Sequence, residues 1–281
     1  MIGFSFSPGG LLFPYHLGVI SSLVKTGHLT PHTPIAGSSA GAIAVASHAA
    51  GVSPRDALEG CVRMCEDCNG IAQGRLMPLL ERELEELLPQ NAHEIVRERP
   101  GFTGLAYKEI FPISKNVLSS EFDSREDLKE AVCNSSMFPF FTSPWPCLIR
   151  PPSSNGNANE DRSEMNLGTD YSSMLSNVLP RFIVDGYFTV PRERFGCPVI
   201  DEYTTRTVTV SVIPHDIINL TVSSQCDQIS PRLRGNSAEE NAEDLNNLFQ
   251  AAVSPSSRED LFSLFDRGQT DAEEWSIKHG S

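Results

Sequence analysis

The sequence predicts an α/β fold. Two short apolar strands each run through a glycine-containing turn into a helix, and two further strands follow far downstream. The first strand is Ile2-Gly3-Phe4-Ser5-Phe6, which alternates apolar and small residues. It leads through Ser7-Pro8-Gly9-Gly10 into a helical stretch from about Leu11 to Lys25. The second strand is Thr33-Pro34-Ile35-Ala36; it leads through Gly37-Ser38-Ser39-Ala40-Gly41 into an alanine-rich helix from Ala40 to Ala50. Downstream, Arg181-Phe182-Ile183-Val184 and the alternating run from Thr207 to Ile213 read as further strands.

The remaining elements follow in order. Proline fits only the first helical turn, so Pro14 sets the start of the first helix near itself. Ser53-Pro54 is a helix start of the same kind and opens a mostly helical region to about Leu88. Within it Leu76, Leu80, Leu84, Leu87 and Leu88 form an apolar stripe among glutamates, which places the leucines in the core and the charges in solvent. Residues from about 151 to 176 are rich in Ser, Asn and Gly and read as an insertion without a core. The acidic stretch Asn236 to Asp244 precedes a final helical region. The motifs span the chain, so residues 1–281 are expected to form one domain.

Gly37-Ser38-Ser39-Ala40-Gly41 is a Gly-x-Ser-x-Gly sequence at a strand-to-helix corner, the pattern of a nucleophile elbow. A tight turn requires small flanking residues, here Gly37 and Gly41, and leaves the serine oxygen at the positive end of the following helix. The plainer reading is a glycine turn in which Ser39 caps the helix. Gly9 and Gly10, with Leu11, leave backbone N–H groups at the other strand-to-helix junction, where they can hold an oxyanion; a turn kept small for packing is the alternative. Asp185, at the end of a strand and before Gly186, can act as general base, or simply begin a turn. The order Ser39, Asp185, His215 also permits a triad. His16, on the first helix, reads as a packing residue that helps to hold the Gly9-Gly10 loop. Cys61, Cys65 and Cys68 share helical spacing, but no second cluster completes a metal site, and no metal or organic cofactor is expected.

The three ordered motifs resemble the patatin-like phospholipases, most closely the eukaryotic branch that includes adiponutrin and adipose triglyceride lipase. The similar stretches are Phe6 to Val19, with Tyr15-His16-Leu17-Gly18; Gly37 to Gly41; Ser124-Arg125-Glu126-Asp127-Leu128 through Ser135-Ser136-Met137-Phe138-Pro139; Asp185-Gly186-Tyr187; and Leu261 to Ala272. Only one strand and one helix precede Thr33, whereas an α/β-hydrolase places several strands before its elbow. The resemblance implies a three-layer α/β/α sandwich of the patatin type and a Ser39–Asp185 dyad with Gly9, Gly10 and Leu11 at the oxyanion. It also implies hydrolysis of a glycerolipid ester, either triacylglycerol or phospholipid. The sequence departs from the family at Pro8 and Phe13, where glycines are usual, and at Tyr187, beside the expected base. These departures motivate one alternative, a catalytically weak lipid-binding regulator at droplets or membranes; a second is an acyltransferase on the same site, with a lipid alcohol in place of water.

The formal net charge of −14 argues against nucleic acid as a partner and gives no general attraction to anionic lipid. No run of about 18 apolar residues predicts a spanning helix, and the N-terminus lacks the pattern of a cleaved signal. The seven scattered cysteines read as reduced thiols. A cytoplasmic protein, peripherally associated with membrane or lipid droplet, is the expectation. Phe138, Phe140, Phe141 and Trp145 lie in a proline-broken stretch that, exposed, can line an acyl groove or dip into an interface and, buried, is a core loop; the resemblance implies a wall of the acyl pocket.

Overall fold

The computed structural model describes residues 1–152, 175, 178–189, 194–214, 227–233, 235 and 237–279. Most of the expected insertion at about 151–176, and His215, lie outside the described residues. The chain adopts the α/β class that its sequence predicts.

The strands are β1 (Ile2–Phe6), β2 (Ile35–Ser38), β3 (Thr103–Phe111), β4 (Lys115–Ser119), β5 (Leu148–Arg150), β6 (Arg181–Val184), β7 (Arg206–Val210) and β8 (Gln228–Ile229). They form one mixed sheet whose bonded neighbours run β5-β6-β3-β2-β1-β7-β8, with β4 also on β3. β8, β7, β1, β2 and β3 are mutually parallel; β4 and β6 run antiparallel to β3. The helices are α1 (Phe13–Lys25), α2 (Ala40–Ala49), α3 (Pro54–Asp67), α4 (Leu76–Leu87), α5 (Ala92–Glu98), α6 (Arg125–Ser135), α7 (Ala238–Val253) and α8 (Arg258–His279).

Phe4 and Phe6 project from the central strand towards α8 and α1: Phe4 meets Trp275 edge-on at 5.8 Å and Phe6 meets His16 at 5.4 Å. α1 and α8 cross closely because glycines stand at the contact. A Cβ at Gly18 would lie 1.9 Å from the Phe265 carbonyl oxygen, and one at Gly268 would lie 2.2 Å from that of Tyr15. Tyr15 also donates a buried hydrogen bond of 3.0 Å to Asp271 across the pair. Gly18→Ala must push the helices apart and is expected to cost about 3 kcal/mol, read as a fall of roughly 5–10 °C in Tm.

The opposite face of β1 and β2 carries small polar side chains, and the segment 194–203 covers it. Ser5 donates to the Pro198 carbonyl at 2.6 Å, and Ser38 donates to that of Gly196. Cys197 and Ile200 are buried there.

Several local expectations are met and three are refined. Pro14 sits in the first turn of α1, and Ser53 caps α3 by accepting from the Asp56 amide at 3.1 Å. Leu76, Leu80, Leu84 and Leu88 are buried, but the region from Ser53 to Leu88 breaks into two helices. Glu83, expected in solvent, is buried between α3 and α4, where Arg63 and Arg82 neutralise it at 2.6 and 2.9 Å. The acidic stretch before the final helix is itself helical. It opens α7, where Ser237 caps the N-terminus and Glu239 and Glu240 complement the helix dipole.

Candidate active site

The sheet register brings Ser39 and Asp185 together. β2 pairs with β3 through Thr103 to Ala106, on the flank opposite β4. β6 takes the same flank of β3 further along, through Lys108 to Phe111, and runs the other way. β2 and β6 therefore lie end to end on one side of β3, with Ser38 opposite Ala106 and Val184 opposite Lys108. Each chain must leave the sheet where it meets the other, and the residues at those exits are Ser39 and Asp185. The fit is close: a Cβ at Gly186 would lie 2.3 Å from the Ala106 carbonyl oxygen and 2.5 Å from Ser38 Cβ.

Ser39 has φ +52° and ψ −121°, a left-handed conformation that costs a serine about 1–3 kcal/mol and is held only where the surroundings enforce it. The enforcement is visible. A Cβ at Gly37 would meet the Gly41 carbonyl at 2.2 Å, and a Cβ at Gly41 would meet that of Phe6 at 2.5 Å, so the turn packs backbone to backbone. The Ser39 amide donates to Ser135 Oγ at 2.8 Å, and Ser135 in turn donates to the Ala106 carbonyl at 2.5 Å. Ser39 is also the N-cap of α2 but makes no side-chain cap, which leaves its hydroxyl free of the role that a capping serine would give it. α2 is buried on nearly all sides, as its run of alanines requires.

Asp185 is fully buried, and burial pushes its carboxyl up to about 7. The Tyr187 amide, donating to Oδ1 at 2.8 Å, and the Ser39 hydroxyl both oppose that rise without cancelling it. Ser39 is thus near enough to favour the carboxylate, yet the pair does not close a hydrogen bond of full geometry, and Asp185 Oδ2 has no partner among the described residues. The Asp185 amide donates to the Met137 carbonyl at 2.8 Å, which fixes the backbone at this corner.

β1 lies beside β2 in register, Phe6 opposite Gly37, so the loop after β1 emerges next to the elbow. Gly10 has φ +55°, and the chain then enters a single 3-10 turn, Gly10–Leu12. Among the described residues the N–H groups of Gly9, Gly10 and Leu11 have no acceptor. His16 holds this loop from below. Because the Ser7 carbonyl accepts from Nε2 at 2.8 Å, Nε2 carries the proton; burial lowers the ring's pKa to about 4 and keeps it neutral. Pro8 is accommodated by Gly196, where a Cβ would sit 2.6 Å from the proline ring. Phe13 is buried at the start of α1. Tyr187 packs among aromatic rings, 6.1 Å from Phe138, 5.3 Å from Phe188 and 6.0 Å from Phe195.

The geometry thus gathers a strained serine turn, a buried carboxyl raised to about 7 and a loop whose amides have no acceptor among the described residues. Together these can transfer an acyl group: a hydroxyl nucleophile, a proton acceptor beside it and donors for a developing oxyanion. Ser135 was not singled out from the sequence, because a serine near the end of an amphipathic helix looks like any other. Ser135→Ala strips partners from two buried backbone groups and is expected to cost about 2 kcal/mol. It is also expected to slow covalent labelling of Ser39 by about tenfold or more through loosened geometry.

A cavity of about 440 Å³ lies elsewhere, lined by residues including Arg97, Arg99, Phe102 and Glu121, near the start of β3. Arg99 there is committed to backbone carbonyls at Thr30, Thr33, Gly101 and Phe102, so it serves to pin loops together.

No protein-family model and no curated protein sequence matches the chain. Among solved structures it is similar to VipD from Legionella pneumophila, with a TM-score of 0.41 and 11% identity over 99% of this chain and 67% of that one. The functional reading rests on the site itself.

Proposed function

We propose that the chain is a serine lipid acyl hydrolase of the patatin-like type. The observation that carries this reading is Ser39, held in a strained turn and set head to head against a buried Asp185 that titrates near pH 7. Ser39 Oγ attacks the ester carbonyl carbon while its proton passes to Asp185. The amides of Gly9, Gly10 and Leu11 take the oxyanion. The tetrahedral intermediate collapses, the alcohol leaves with the proton from Asp185, and an acyl-serine remains. Water then repeats the sequence and releases a fatty acid. The elbow glycines Gly37 and Gly41 let the turn form.

The substrate class, a glycerolipid such as triacylglycerol or phospholipid, is supported by the motif resemblance and by the apolar wall of Phe138, Phe141, Tyr187 and Phe188 near Asp185. Placement in the adiponutrin and adipose triglyceride lipase branch rests on the same motifs. No helix among the described residues is long and apolar enough to cross a membrane, and peripheral contact with the lipid surface is part of this reading.

Fatty-acid release from separate phospholipid and triacylglycerol emulsions, with fluorophosphonate labelling of Ser39, tests the proposal. Release and labelling that both vanish in Ser39→Ala support it, and the preferred emulsion names the substrate. A second reading, a lipid-binding regulator of little activity, is favoured by the low exposure of Ser39 (7%) and by the open Ser39–Asp185 hydrogen bond. A folded wild type that neither labels nor releases fatty acid would establish that reading instead.

A further inference from the structure

Two uncharged stretches of chain converge at Gly10. One is Ala131 to Ile149 and the other is Leu245 to Ser257; neither contains Asp, Glu, Lys or Arg, in a chain where those residues make up 21%. The convergence is direct, since a Cβ at Gly10 would lie 2.4 Å from the Ala252 carbonyl oxygen at the end of α7 and 3.7 Å from the Phe141 ring. Both stretches also expose large apolar side chains. Phe140 is 56% and Trp145 68% exposed on the first; Phe249 and Val253, one turn apart on one face of α7, are 47% and 51% exposed on the second.

The first stretch is held up by design of the fold and does not simply trail into solvent. Phe140 sits at φ +60°, a conformation that a bulky residue adopts only when its surroundings enforce it. The Phe140 amide donates to the Trp145 carbonyl at 3.1 Å, closing the turn between the two exposed rings. Beneath them the Gly74 and Met77 amides donate to the Phe141 and Thr142 carbonyls at 2.6 and 2.7 Å, tying the turn to the start of α4.

We infer that Phe140, Trp145, Phe249 and Val253 form an apolar rim that docks the site on a lipid surface of zwitterionic or neutral headgroups. The inference deepens the lipid-hydrolase reading and rests on it for the choice of lipid over a protein partner. Trp and Phe are the side chains that settle at the boundary between headgroups and acyl chains. The charge pattern selects the kind of surface. The rim offers no cation to anionic headgroups, and the other half of α7 exposes Glu239 and Glu243, which repel them.

The chain carries its own probe, because of its two tryptophans only Trp145 is exposed, while Trp275 is 3% exposed against Phe4. The full chain is titrated with phosphatidylcholine vesicles and with vesicles containing phosphatidylserine. Tryptophan emission is followed, together with co-sedimentation and quenching by brominated lipid. A blue shift, quenching and pelleting with phosphatidylcholine alone are expected. Phe140→Ser with Val253→Ser is expected to weaken pelleting on the order of tenfold or more, as exposed apolar area supplies the driving force. Quenching of the wild type reports on docking even if that variant folds poorly. An unshifted, unquenched Trp145 with phosphatidylcholine would overturn the inference. So would binding that requires phosphatidylserine, or a Trp145 already shielded without lipid in a dimer that the variant dissociates. Hydrolysis of a soluble short-chain ester, measured alongside, keeps the two readings apart: binding without such hydrolysis leaves the rim standing and removes the dyad.

Discussion

Ser39→Ala is expected to leave a folded protein with ester hydrolysis reduced on the order of 10⁴-fold or more, because the covalent step is lost outright. Neither of the serines that pack beside it, Ser38 and Ser135, is free to replace it. Ser38, one residue earlier, points to the opposite face of the sheet and donates to the Gly196 carbonyl. Ser135, which contacts the Ser39 amide, donates to the Ala106 carbonyl. Stability should change little, since the Ser39 hydroxyl caps no helix and alanine keeps the same backbone requirement. Ser39→Gly is a sharper companion. It also removes the nucleophile but relieves the cost of φ +52°, so it is expected to exceed Ser39→Ala in stability by about 1 kcal/mol. Thermal melts of the two variants measure that difference, while fatty-acid release and fluorophosphonate labelling measure the loss of function. Full labelling of Ser39→Ala would show that another residue is the nucleophile.

The strand-to-helix corners were legible in the sequence because they are local. A glycine beside a serine, an apolar run of four and an alanine-rich run of ten each constrain a few consecutive residues. Pro14 and Ser53 marked helix starts for the same reason. What was not legible depends on register. Nothing near Asp185 in sequence says that β6 will run antiparallel to β3 and meet β2 end to end, yet that arrangement alone brings Asp185 to Ser39. The roles of Ser135 and Gly196 were invisible for a similar cause. Each acts on residues almost a hundred or more positions away, Ser135 on the Ser39 amide and Gly196 on Pro8. Pro8 looked like a defect in a glycine-rich loop when read alone; beside Gly196 it is a packed residue. Glu83 shows the limit of binary patterning, since a charge on the polar side of a helix is buried when two arginines are positioned to receive it.

Asp185 links activity to pH and stability in opposite directions. As the base it must be ionised, and its carboxyl is raised from 3.8 to about 7 by burial. kcat/KM on a soluble ester is therefore expected to rise about tenfold per pH unit below pH 7 and to level off above it. Asp185→Asn should lower the plateau by about 10²–10⁴-fold and erase the dependence. Folding responds with the other sign. Below pH 3.8 the carboxyl is neutral in both the folded and unfolded chain, so the site carries no titration penalty. Between pH 3.8 and 7 the unfolded chain ionises while the folded one stays protonated, and stability falls. Above pH 7 the loss is complete, at about 4 kcal/mol. Asparagine cannot ionise, and whatever its amide costs in the same place does not vary with pH. The stability of Asp185→Asn relative to wild type is therefore expected to improve by about 3 kcal/mol between pH 5 and pH 8. Denaturant melts at the two pH values measure that difference of differences. An unchanged gap would mean that Asp185 ionises normally in the fold, and a carboxylate that holds its charge so readily is too weak a base to activate Ser39.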